Sequence, residues 1–228
     1  MDWAPVSTPP PQDAHSAPFQ PSAPPLDPHY HLAPRFIHAV DDAARESLTR
    51  IYAEEFVRAA AVAAQDGFDE PSAIDVAASW CTNWPTTPLL LRSFGVGLCA
   101  GELERAGFDD WLVADLCAED VALPGGAFHI ATLASGAQYF RDPVRAFGAV
   151  RRSLVGGGIL VVSFSSSRIV MAERVCAPWL KWGSMQRVAA VAAWMAEAGF
   201  SDVEWFDASP LKGSPITDDL FILRAKNV

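Results

Sequence analysis

Five predominantly apolar runs, each four to six residues long, constrain this 228-residue chain more than any other feature. They cover residues 72–77, 91–96, 111–114, 128–133 and 159–164. Half-exposed strands alternate apolar and polar residues, whereas parallel strands covered on both faces read as continuous apolar runs. Helical segments are expected between them, near 88–91, 100–106, 143–154 and 184–198, with Pro143 suited to a helix's first turn. Gly156-Gly157-Gly158 reads as a turn before the fifth run. Two last runs, 203–207 and 220–225, flank a loop holding Gly213 and Pro215 and read as an antiparallel pair. Alternating strands and helices that close on such a pair predict an α/β fold. The expected sheet is seven-stranded and Rossmann-like, with helices on both faces and a terminal antiparallel β-hairpin.

Upstream, apolar residues from Phe36 to Val57 recur at helical spacing, with Asp41 and Asp42 placed to cap a turn and Gly67 placed to end the helix. Residues 1–34 differ in kind. They hold ten of the eighteen prolines and no Lys or Arg. A segment so poor in apolar periodicity cannot offset its ordering entropy alone. It is expected to be an N-terminal tail, disordered or polyproline-like and without core contacts of its own, ahead of a domain spanning 35–228. Residues 26–34 are richer in aromatic and apolar side chains and could dock on this domain or on another chain.

The net charge of −10 is spread along the chain, which argues against nucleic-acid binding, since that needs clustered Lys and Arg. No segment reaches the roughly 20 apolar residues of a transmembrane helix, and the N-terminus lacks the pattern of a secretory signal. The four cysteines form no CxxC pair and have no His at ligand spacing. Free thiols in a reducing compartment, plastid or cytoplasm, are the expectation, with no metal site.

The strand–helix order resembles class I S-adenosylmethionine-dependent methyltransferases. Local motifs are most similar to a type-11-like branch known from cyanobacteria and plastid-bearing organisms. The residues that carry the likeness are Arg35-Phe36-Ile37-His38-Ala39-Val40-Asp41-Asp42-Ala43-Ala44 with Leu48 and Tyr52, then Ile74 through Pro85, Gly95 through Leu103, Asp115-Leu116, and Gln138-Tyr139-Phe140 with Pro143. The resemblance implies S-adenosylmethionine as cofactor, lying across the carboxyl ends of the first strands. It implies contacts to the amino-acid end from Asp75, Ser79 and Trp80, to the ribose region at Gly97, and to the adenine from Asp115 and Leu116. Ser135 follows the fourth strand, and Gln138 and Tyr139 would face the methyl acceptor. Simpler readings stand beside these: Asp75 as a turn cap, Trp80 and Tyr139 as packing residues, Asp115 as a helix N-cap. No catalytic residue is assigned, because methyl transfer rests mainly on positioning and a base is optional.

This chain departs from the family at telling places. The first turn lacks GxG, and no carboxylate ends the second strand, Glu102 being the nearest acid. Asn83 and Cys99 replace a His and an Asn of the branch. Cys81, Cys99 and Cys117 each follow one of the first three strands, so their thiols are expected to cluster at the mouth of the cleft. Two functions are therefore carried forward. One is a methyltransferase-like protein with degenerate cofactor motifs. The alternative is a non-catalytic methyltransferase-fold accessory subunit of a larger plastid, photosynthetic assembly, joined through the tail.

Overall fold

The computed structural model describes residues 2–20, 33–87, 90–169 and 174–228. Eight strands form one sheet: β1 (Ala4–Pro5), β2 (Ser72–Val76), β3 (Arg92–Gly97), β4 (Asp110–Val113), β5 (Phe128–Ala134), β6 (Leu154–Phe164), β7 (Phe200–Asp207) and β8 (Phe221–Asn227). Their order is β1-β7-β8-β6-β5-β2-β3-β4. Strands β2 to β6 pair in parallel, and β8 lies antiparallel between β6 and β7. The chain runs outward from β2 to β4 and then returns to β5, so the crossover point of the sheet lies between β2 and β5. In open α/β sheets ligands bind at that point, beyond the carboxyl ends of the strands.

Helix α1 (Asp42–Gln65) covers one face, with Leu48, Ile51, Tyr52 and Phe56 buried against Ala73, Ile130, Val161 and Ile222. Helices α3 (Pro143–Ser153) and α4 (Ser184–Glu197) cover the other through Phe147, Val150, Val188 and Trp194. The short α2 (Ala100–Ala106) follows β3. α1 starts later than its apolar spacing suggests. Asp41 accepts from the Ala44 amide at 2.8 Å as the N-cap, and its other oxygen accepts from the Asp218 amide at 2.7 Å. The carboxyl of Asp218 in turn accepts from the Asp41 amide at 2.7 Å. This reciprocal pair fixes the start of the helix and leaves residues 36–40 as a non-helical strap.

Three local expectations need correction. The helical turn near 88–91 is not formed at Leu90 and Leu91, where the Leu91 amide instead binds the Pro71 carbonyl; residues 88 and 89 lie outside the described residues. Gly156-Gly157-Gly158 is no turn but part of β6, whose pairing with β5 shifts register between Phe128 and Ile130. Gly157 sits at φ +80°, which glycine adopts freely, and this lets the strand bulge and continue.

The third correction is the tail. Its residues 2–20 pack into the fold. β1 adds an eighth strand antiparallel to β7, pairing Ala4 with Trp205. Ala14 and Phe19 are 1% and 3% exposed and belong to the main core, where Phe19 lies against the rings of Trp182 and Trp194. The indole N–H of Trp194 donates to the Ala14 carbonyl at 2.8 Å and that of Trp182 to Asp13 at 2.9 Å. A proline-rich segment needs no core of its own when long-range partners satisfy its backbone. Residues 21–32, including most of the expected docking stretch, lie outside the described residues, but Phe36 does touch the domain, on the ring of Trp80.

Candidate functional site

The carboxyl ends of β2 and β5 open into a small cavity of about 60 Å³. Asp75, Ser79, Cys81 and Ser135 line it together with Ile37, His38 and Arg45. Of the residues implied by the resemblance, the structure thus brings Asp75, Ser79 and Ser135 together. Asp75 is 3% exposed and accepts from the Thr132 hydroxyl at 2.7 Å; that hydroxyl accepts from the Trp84 indole at 2.8 Å. Burial dominates over these bonds and pushes the carboxyl of Asp75 up to about 8, so at neutral pH it holds a proton.

The other implied residues are placed elsewhere. Trp80 is outside the cavity lining and holds the strap, its indole donating to the Ile37 carbonyl at 3.2 Å and its ring 4.5 Å from that of His38. Asp115 is neither in the cavity nor the cap of a regular helix. It closes a turn on the Cys117 amide at 2.9 Å and pairs with Arg141 at 2.9 Å. Leu116 is in the core. Gln138 is buried, its amide donating to the Ser135 carbonyl at 2.8 Å, and Tyr139 packs against the core. The three thiols have separate surroundings. Cys81 faces His38, Cys117 bonds the backbone of Asp142, and Cys99 is buried at the start of α2. Among the described residues, no group of three or more His, Cys, Asp and Glu side chains is placed to hold a metal ion.

Contacts to β3 and α2 hold the loop after β2 in place beside the cavity. The loop after β2 lies directly on β3: the Ala78 amide donates to the Val96 carbonyl at 2.7 Å, and a Cβ on Gly97 would lie 2.2 Å from the Ala78 carbonyl oxygen. Glu102, in the first turn of α2, has both carboxylate oxygens taken, one by the Ser79 hydroxyl and one by the Arg35 amide, each at 2.7 Å. Gly97→Ala is therefore expected to destabilise the chain by about 3 kcal/mol, because the clash is with backbone. Gly156→Ala, where nothing lies within 4 Å, should be nearly neutral. Urea midpoints of the two variants check this.

Sequence reasoning passed over Thr132, hidden in an apolar run, and Arg45, which reads as one more helical cation. Arg45 donates to Asn83 Oδ1 and contacts His38 Nε2, both at 3.1 Å. These links join α1 to the strap and to the loop after β2.

No family model and no curated protein matches the chain. Solved structures do. The N-methyltransferase NodS of Bradyrhizobium japonicum WM9 shares 16% identity over 82% of this chain and 98% of its own, with a TM-score of 0.52. This chain has the class I S-adenosylmethionine-dependent methyltransferase fold. The methyltransferase-fold sheet is shared as well with the [4+2]-cyclase SpnF, at 17% identity, 85% and 88% coverage and a TM-score of 0.57. A third match is a structure of the Haloferax volcanii Trm112 methyltransferase activator in complex with a methyltransferase, at 13% identity, 82% and 98% coverage and a TM-score of 0.51.

Proposed function

We propose that this is a methyltransferase-like protein that keeps the methyltransferase fold but holds its cofactor cleft shut. The observation that carries the reading is the size of the cleft. At about 60 Å³ it is far below the roughly 300–1,000 Å³ of small-molecule sites, and the strap across its mouth is fixed at Glu102 and Trp80. The residues as arranged do not fit S-adenosylmethionine. The protonated Asp75 is also a weak partner for the ammonium group of such a ligand, because it must first ionise. The fold itself is shared by a protein named a [4+2]-cyclase, so it does not by itself imply methyl transfer.

A role as an accessory subunit of a larger assembly is favoured by the apolar surface beside the closed cleft, where Phe36, Ile37 and Leu98 are 51%, 56% and 43% exposed. One structural neighbour comes from a complex with a methyltransferase activator. The deciding test is calorimetric titration of the full chain with S-adenosylmethionine and S-adenosylhomocysteine. The expected result is no saturable binding at micromolar concentrations. Micromolar binding of either would overturn the closed-cleft reading in favour of an active methyltransferase.

A further inference from the structure

The geometry points to Cys81 as a covalent modification site, a thiol that His38 and Arg45 prepare to react with small, soft electrophiles. Cys81 Sγ lies 3.6 Å from His38 Nδ1, within hydrogen-bonding reach of sulfur. On the far side of the same ring, Nε2 lies 3.1 Å from Arg45 Nη1. A guanidinium can only donate, so Nε2 must accept, and the imidazole proton is left on Nδ1. That nitrogen is the one within reach of the sulfur. Arg45 is itself held, through Nε to Asn83 Oδ1 at 3.1 Å and through Nη1 to Asp42 at 3.0 Å. The ring of His38 lies against Trp80 at 4.5 Å. Cation, imidazole and thiol therefore form a fixed relay that donates a hydrogen bond to the sulfur as negative charge develops on it. Burial raises the Cys81 thiol above its ordinary value and Arg45 offsets only part of that, so the activation rests on the hydrogen bond from His38.

The other cysteines lack this arrangement. Cys99 and Cys176 are buried. Cys117 is about as open as Cys81, but its sulfur accepts from the Asp142 amide at 3.4 Å and lies 3.7 Å from the Asp142 carbonyl. Cys81 is partly exposed and lines a cavity with room for about two waters, whose other polar groups include the Ser79 and Ser135 side chains. The site thus selects for small size, and Arg45 on its wall disfavours cationic reagents. In the reaction the sulfur forms a bond to the electrophilic carbon, the leaving group departs with its electron pair, and the thiol proton passes to solvent. The inference does not depend on cofactor binding.

The test uses iodoacetamide on the native full chain, with labelling at each cysteine followed by peptide mass spectrometry. Displacement of iodide should label Cys81 at least tenfold faster than Cys117, and Cys99 and Cys176 more slowly still. His38→Gln should slow labelling at Cys81 about tenfold and leave Cys117 unchanged. Arg45→Gln, which frees the imidazole tautomer, should slow it less. Equal rates at Cys81 and Cys117 would overturn the assignment. So would faster labelling of Cys81 in His38→Gln, since His38 would then only shield the thiol. Circular dichroism of each variant, with Cys117 as internal reference, separates loss of fold from loss of activation.

Discussion

Removing residues 2–20 should lower the thermal midpoint by about 10 °C or more. Losing a buried Phe side chain costs about 3–5 kcal/mol, and in a chain of this size each kcal/mol shifts the midpoint by roughly 2–4 °C. Phe19 is one such side chain, and the deletion also removes Ala14, the pairing of β1 with β7, and Trp3, whose ring lies 4.1 Å from the Arg224 guanidinium. Phe19→Ala alone should produce roughly half the loss. It should also alter tryptophan emission, because Phe19 touches Trp182 and Trp194. A midpoint unchanged by the deletion would show that the segment adds nothing to the fold.

The stability of the chain should fall as pH rises from about 4 to 8, and Asp75→Asn should remove much of that slope. The folded-state carboxyl of Asp75 titrates near 8, whereas an unfolded Asp titrates near 3.9. Between those values folding takes up a proton. The contribution of this group is fully present below pH 4 and is lost as pH rises through 8, at up to about 1.4 kcal/mol per pH unit. Asn cannot titrate, and its side-chain oxygen can still accept from Thr132. The variant should gain on the order of 3–4 kcal/mol over the wild type between pH 5 and pH 8. Burial also raises the carboxyl of Glu55, but that group is present in both proteins and cancels in the comparison. Urea unfolding at several pH values reads the difference directly. Parallel curves for the two proteins would show that Asp75 is ionised in the folded state.

The sheet was legible in the sequence because parallel strands announce themselves locally. Each apolar run between 72 and 164 lies within a strand or shares most of one, and the capping role of Asp41 and the helix end at Gly67 follow from residue type alone. What escaped depends on pairs far apart in the chain. Phe19 looks like an isolated aromatic among prolines, since its partners Trp182 and Trp194 come much later. The glycines at 156–158 have turn composition, and only register with β5 makes them strand. At the cleft, the resemblance led to Asp75, Ser79 and Ser135, which do meet. It gave no sign that Glu102 would be taken up by Ser79 and Arg35, because that contact needs the three-dimensional placement of the strap.

The pairing of β1 with β7 also bears on how the chain is made. Ala4 meets Trp205 across about 200 residues, so the first strand leaves the ribosome long before its partner exists. At synthesis rates of roughly 5–20 residues per second, that wait lasts about 10–40 seconds. During it, Phe19 and Trp3 have no groove to enter, and the edge that β7 will present has not been built. A stretch crowded with proline is well suited to such an interval. Proline lacks the amide that strand-to-strand association requires, so the waiting segment is poorly equipped to pair with neighbouring nascent chains before its own partner arrives.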